Sequence, residues 1–501
     1  MANRLNEWFN GLSPGRMSLA LAAFFAAAHG AYYLWGIRFD GTPLLWFWQY
    51  LDPQLLEGKL LESVFYMHSQ PPLFNLFLGA VLKIPGGASR YIFQGVYLAA
   101  GLTLYLSLFW LQLKLGVSRG VAFATSTLFM VSPSFVLYEH WLFYTFPVAA
   151  LLTLSAFLFY ETVTSKRAWA AVAFFATLFL ICGIRHVFHL AYYVVVAGAL
   201  GFFCAGARKK VLLAAALPFA ILFTFYAKNY ALFGQFSASS WGGMYLWEMT
   251  GYFLSPGERE KLEADGKLSR VTSVPTFSEL GRYPATYADV SRFDGVDALA
   301  QVNKSTGPNN YNHLGYVAIS REYLNGALGV LRYSPKAYLR GLLRAGFIYF
   351  RSSSDYASGV RFLDEAGNQS RISYVERFYD YFFYGKVPLG PLLTKVLARF
   401  DLKCPPYAYL YLLIWLPVLF YYGFRLSLNR AVAAAAGLSW GQRLTVLYVC
   451  VNVIYVTLAG TAFNWAESNR TRFLSDPLYV ALLGLFVQHF LVRSVRSSLG
   501  K

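Results

Sequence analysis

Carboxylates, imidazoles and cationic side chains recur in this chain at the ends of apolar runs. Between the first run and Pro72 come Asp40-Gly41, Asp52-Pro53, Glu57, Glu62 and then His68-Ser69-Gln70-Pro71-Pro72-Leu73. Further along lie Tyr138-Glu139-His140, Arg185-His186, Lys228 and Glu467-Ser468-Asn469-Arg470-Thr471-Arg472. A carboxylate near a bilayer surface can take the proton from an attacking hydroxyl or help to hold a divalent cation, and Asp40, Asp52 and Glu139 are the candidates. A guanidinium presents paired donors to phosphate oxygens and an ammonium presents a point charge. Arg185, Lys228, Arg470 and Arg472 are therefore candidates for holding a lipid-linked phosphate as it leaves. His68, Gln70, His140, His186 and Glu467 complete the expected substrate-binding set. Such groups suit transfer from a phosphate without naming what is transferred.

Each candidate also has a structural role open to it. Asp40 can cap a helix at the membrane boundary, Asp52 before Pro53 suits a turn, and His68 can bond loop backbone. Arg185, His186 and Lys228 can snorkel to head groups, while Arg470 and Arg472 can pair with Glu467 and Asp476. His29 and His489, alone in apolar runs, read as structural.

The elements that position these groups are membrane helices. Of 501 residues, 57% are hydrophobic, 19% aromatic and 14% charged, with mean hydropathy +0.42, more apolar surface than a soluble globule could cover. The formal charge of +18 falls largely in short clusters between apolar runs, a topology signal and not a nucleic-acid footprint. Cys182, Cys204 and Cys450 lie in or beside apolar runs and Cys404 precedes one, so no disulfide framework or cysteine metal cluster is legible. Runs near 17–35, 91–113, 120–138, 142–160, 168–184, 187–206, 211–227, 406–424, 444–462 and 476–492 predict about ten spans. The first lacks a small-residue cleavage site and is expected to be a retained helix. The stretch from Leu73 to Ile84 is short, more like a re-entrant or interfacial helix.

Charge sets the orientation. With that stretch not crossing, Lys114/Arg119, Lys166/Arg167, Arg208/Lys209/Lys210, Arg425/Arg430/Arg443 and Arg493/Arg496/Lys501 all fall on the side of Arg4 and Arg16. The positive-inside rule makes that side, with both termini, cytoplasmic. The candidate groups then collect outside. Expected organisation is an N-terminal transmembrane module over 1–227, an outer α-rich segment over 228–405 and C-terminal transmembrane helices over 406–501. Within the outer segment, apolar spacing from Tyr316 to Phe350 predicts two helices, the second with Ser334 as N-cap and Pro335 at its first position. Val387 to Phe400 is expected along the interface, and an extra pair of spans near 338–350 and 381–398 stays open. The chain has no P-loop, G-x-S-x-G, H-E-x-x-H or paired C-x-x-C.

An apolar helix, an outer loop with an early acid and a Pro-Pro-Leu ending resembles the start of GT-C glycosyltransferases, the superfamily of protein O-mannosyltransferases and bacterial lipid A aminoarabinose transferase. Gly116 through Arg119-Gly120, Ser132-Pro133, Tyr138-Glu139, and late in the chain Glu467 to Phe473 with Asp476-Pro477, follow in the same order. The resemblance implies an all-α polytopic GT-C-like bundle in a bacterial inner membrane, with a periplasmic segment and a polyprenyl-phosphate sugar donor. It also implies transfer at the outer face to a glycan, lipid or protein acceptor. It carries the role of base or metal ligand onto Asp40, with Asp52 as rival, and a second acidic role onto Glu139, with magnesium or manganese a candidate cofactor at Asp40 and Glu139. A lipid-linked sugar transporter or flippase, and a membrane assembly protein, are the alternatives. The paired halves, broken helices and midplane charges of a transporter are not evident in the apolar runs.

Overall fold

The computed structural model describes residues 11–355, 366–391, 395 and 407–492. Within them the chain is predominantly helical, as expected, with loops and short 3-10 turns over much of 251–314. The sheet among the described residues is one antiparallel pair, β1 (Lys386–Pro388) and β2 (Tyr407–Tyr409).

Helix α1 (Pro14–Leu34) begins with proline at its first turn, where the missing N–H leaves nothing unbonded, and α2 (Pro72–Leu82) begins the same way. Next come α3 (Ser89–Lys114), α4 (Arg119–Met130), α5 (Pro133–Glu139), α6 (Thr145–Ser165), α7 (Ala168–Ile184), α8 (Leu190–Phe203) and α9 (Arg208–Phe233). Six described helices are long and apolar enough to cross a membrane: α1, α3, α6, α9 with the turn before it, α13 (Leu410–Leu428) and α14 (Trp440–Ala462). Helices α4 and α5 make a seventh if they form one span, but they meet at a 58° bend. That bend replaces the unbroken span expected over 120–138. Pro133 cannot donate to the ladder, and the Ser132 hydroxyl accepts the Phe135 N–H at 3.4 Å, which starts a new helix. Helices α7 and α8 occupy expected places at 17 and 14 residues, and α2, with 11, is the short helix anticipated there.

Helix α9 runs past the expected boundary at 227 to Phe233, where Gly234 at φ +67° ends it in the left-handed conformation that glycine adopts without strain. Beyond it a separate core forms around Trp241, Met244, Trp247, Ile319 and Tyr323. Its helices include α10 (Gly242–Thr250), α11 (Gly315–Tyr333) and α12 (Pro335–Tyr349). The break between α11 and α12 falls where expected. The Ser334 hydroxyl, however, does not cap α12; it donates to Glu258 at 2.6 Å. Residues 338–349 belong to this 15-residue amphipathic helix, which is not among the candidate spans. Parts of 381–398 and 387–400, together with Arg4, Cys404, Arg493, Arg496 and Lys501, lie outside the described residues.

Helices α13 and α14 are followed by the short α15 (Ser468–Arg472) and by α16 (Asp476–Val487). Helix α6 packs on α3, α7 and α14, and α16 packs on α3, α4 and α13. One end of this bundle is tied together by Lys114 with Glu161 at 2.8 Å, Gln442 to the Lys114 carbonyl at 2.8 Å and Arg119 to the Leu12 carbonyl at 3.1 Å. Most of the candidate residues collect toward the opposite end, whereas Glu139 lies beside Gly101, half-way along α3.

Candidate acid and phosphate site

Asp40 is placed by backbone pairing. Its N–H donates to the His140 carbonyl at 2.7 Å, and its carbonyl accepts the Leu142 N–H at 2.9 Å. The loop after α1 is thereby zipped to the turn between α5 and α6, although 100 residues separate them in sequence. Asp40 is 4% exposed. One carboxylate oxygen accepts the Thr42 N–H at 2.9 Å, whereas Oδ2 is buried with no hydrogen-bond partner among the described residues. A buried carboxylate oxygen left unsatisfied costs stability, so its persistence marks a functional candidate.

Glu139 turns the other way. Its Oε2 meets His29 Nε2 of α1, and Oε1 lies against Gly101 of α3, where any Cβ would collide with it. His29 Nδ1 donates to the Phe25 carbonyl at 2.8 Å, so one proton must lie between Nε2 and the carboxylate. His29, read from sequence as a lone structural histidine, is thus half of a buried inter-helix pair, with the His140 ring 6.2 Å from it. His29→Leu would strand Glu139 among apolar helices and is expected to destabilise the fold by about 3–5 kcal/mol. Adding Glu139→Leu should recover most of that. Thermal unfolding in detergent checks both, and an additive double mutant would show the pair to be uncoupled.

A divalent cation shared by Asp40 and Glu139 does not fit these positions. Glu139 Oε2 is taken by His29 and its Oε1, without a hydrogen-bond partner among the described residues, lies against α3 at Gly101; among the described residues no group of three or more His, Cys, Asp or Glu could hold a metal ion.

The arginines make a second centre, and the segment that bonds Asp40 leads directly to it. Arg185, in the break between α7 and α8, stacks over the Tyr144 ring at 4.9 Å, and Arg470 stacks over the Phe143 ring at 4.8 Å. The two rings are themselves 4.0 Å apart. Arg185 reaches the Thr471 hydroxyl at 3.4 Å and Arg470 the Thr145 hydroxyl at 3.3 Å, while Glu467 pairs with Arg470. Arg185 is 4% exposed, yet its Nε and one terminal nitrogen have no partner among the described residues. Burial lowers its pKa, Tyr144 opposes the shift and Arg470 adds to it. His186 Nδ1 donates to Gln70 Oε1 at 2.9 Å and the ring stacks on Tyr245 at 5.8 Å. Burial, then Arg185 and Arg470, hold His186 down at about 3, so the two arginines gain no third charge.

The other nominated residues hold loops in place. Asp52 caps the helix Pro53–Gly58 through the Gln54 N–H and accepts both the N–H and hydroxyl of Ser305, at 2.7 and 2.5 Å, so both of its oxygens are engaged. Lys228 donates to the Phe65 and Met67 carbonyls at 2.7 and 2.9 Å. Arg472 does not join Arg470. Its donors go to Asp476 at 2.9 Å, Ser353 at 2.9 Å and the Tyr349 carbonyl.

His68 bonds the Ser240 hydroxyl at 2.8 Å through Nδ1. Burial, then Lys228, push its pKa from 6.5 to about 3. Folded His68 stays neutral where the unfolded chain would take a proton, so its contribution to stability is lost as pH falls below about 6.5. His68→Asn is expected to shrink the drop in unfolding temperature between about pH 7.5 and about pH 5. Identical pH profiles for the two proteins would show that His68 has no such role.

Sequence reasoning missed Tyr144, Thr145, Tyr245 and Thr471 as neighbours of the arginines, and Glu248 as an acid that interacts with Tyr245 and Glu467. Glu248 accepts the Thr276 hydroxyl at 2.7 Å, and its carboxyl rises to about 7 through burial, opposed by Thr276 and reinforced by Glu467. An acid directly after the aromatic stretch Trp241 to Trp247 was the available signal. Comparison with protein families, with curated proteins and with solved structures finds no match to this chain.

Proposed function

We propose that this protein is an integral membrane glycosyltransferase of GT-C type, moving a sugar from a polyprenyl-phosphate donor to an acceptor hydroxyl. The observation that carries the reading is Arg185, a buried guanidinium with two unpartnered nitrogens beside Arg470. Arg185 and Arg470 together, with Glu467 the carboxylate paired to Arg470 among the described residues, call for an anion, and a phosphate matches the guanidinium fork. Asp40 supplies the complementary group. Its free oxygen takes the acceptor's proton as the new C–O bond forms at the sugar carbon, the bond to the phosphate oxygen breaks, and polyprenyl phosphate leaves with its charge on the arginines. Glu139 in this scheme positions the turn that holds Asp40.

The basic clusters at 114–119, 166–167, 208–210 and 425–443 follow helix ends opposite those near Asp40, which supports a cytoplasmic side there and a periplasmic site. About ten spans follow if α2 stays at the interface and α7, α8 and α16 cross despite their length. A transporter of the same lipid is the second reading, favoured by the α4–α5 break and the buried His29–Glu139 pair. Purified protein in vesicles with radiolabelled polyprenyl-phosphate sugar and membrane-lipid acceptors separates them. Transfer requires label on a new molecule, whereas movement of intact donor between leaflets would replace the transferase reading with the transporter.

A further inference from the structure

Helix α15 faces two sites. Arg470 and Arg472 are two residues apart, about 200° around a helix, so they diverge from its axis. Arg470 goes to the phosphate site, and Arg472 goes to the polar end of an apolar cavity of about 410 Å³. Its walls include Phe129 of α4, Tyr384, Leu416 of α13 and Leu483 of α16, with Asp476 beside Arg472 at the polar end. The cavity lies next to a bare hydrocarbon face, since Leu413, Ile414 and Val418 of α13 are exposed.

Charge separates this place from the first. Arg472 has Asp476 at 2.9 Å, Lys386 has Asp380 at 2.8 Å and Arg351 pairs with Asp355, so each of these cations already has its own carboxylate. Tyr409 adds a hydroxyl 2.9 Å from Asp355. Of these groups Arg472 and Asp476 line the cavity; as a matched pair they do not call for an anion as Arg185 does, but the Asp476 carboxylate can accept from hydroxyl groups and the lining Tyr384 hydroxyl can exchange hydrogen bonds with them. The cavity's polar end is also linked to the acid: Tyr138 donates to the Ser353 carbonyl at 2.8 Å, Ser353 bonds Asp476 at 2.6 Å, and His140, two residues on, bonds Asp40.

We propose that the cavity takes the hydrocarbon chain of a lipid with a net-neutral, hydroxyl-bearing head at the Arg472–Asp476 end, and that this lipid is the acceptor. The word acceptor rests on the transferase reading; the lipid site does not. Donor and acceptor lipids then approach from opposite sides of α15, each recognised by its own head-group charge.

The test uses the full chain in nanodiscs, a diacylglycerol with a photoreactive acyl chain and, separately, a photoreactive polyprenyl phosphate. Adducts are mapped by peptide mass spectrometry. Diacylglycerol adducts are expected at least about fivefold more often on 411–419 and 479–487 than on the exposed α9 residues Leu213 and Leu217. Leu483→Trp, which fills the cavity, should remove that excess and leave polyprenyl-phosphate labelling intact; competition by unlabelled diacylglycerol on the native chain tests the site without any substitution. Uniform labelling of all lipid-facing helices, or cavity labelling by polyprenyl phosphate that Leu483→Trp abolishes, overturns the proposal. Cavity labelling with no sugar transfer retains the lipid site and sinks the transferase reading alone.

Discussion

Asp40→Asn is expected to lower sugar transfer roughly a hundred- to ten-thousand-fold while donor affinity changes by no more than about twofold. The substitution keeps the oxygen that accepts the Thr42 N–H and leaves the backbone bonds to His140 and Leu142 untouched, so the turn should hold its shape. What it removes is the capacity of the buried, unpartnered oxygen to take a proton. Single-turnover transfer and equilibrium binding of radiolabelled polyprenyl phosphate separate the two effects. Parallel losses in both would make Asp40 a binding residue and take the base out of the scheme.

Arg185→Met should act on the other quantity. Each charge-assisted hydrogen bond contributes about 1.5–3 kcal/mol, so losing two from a phosphate costs about 3–6 kcal/mol, roughly a hundred- to ten-thousand-fold in donor affinity. The fold should tolerate the change, because methionine fills much of the same volume and removes a buried charge that no carboxylate among the described residues pairs with directly. Arg185→Lys should restore only part of the loss, since an ammonium lacks the planar fork. Native-like unfolding together with unaltered donor affinity in Arg185→Met would remove this residue from the phosphate site.

These two residues show how unevenly the site was legible. Asp40 and Asp52 look alike in sequence, each followed by a turn-forming residue, Gly41 or Pro53. What distinguishes them is Ser305, about 250 residues away, whose N–H and hydroxyl satisfy Asp52; of these two acids, Asp40 keeps an oxygen without a partner among the described residues. Arg470 and Arg472 were grouped by proximity in sequence, and the helical repeat of α15 parted them. His29 looked isolated because its partner, Glu139, enters from another helix.

Hydropathy, proline placement and the basic clusters are local or nearest-neighbour properties, so the sequence alone determined an all-α chain, the positions of its apolar helices and the gathering of ionisable groups at helix ends. The bend at Ser132-Pro133 was visible as a motif but not as an angle. The tertiary structure alone decided which ionisable groups are satisfied and which are left with unused bonding capacity. Hydrogen bonding and burial depend on atoms brought together from distant segments, and those partnerships leave no periodicity in the chain that makes them.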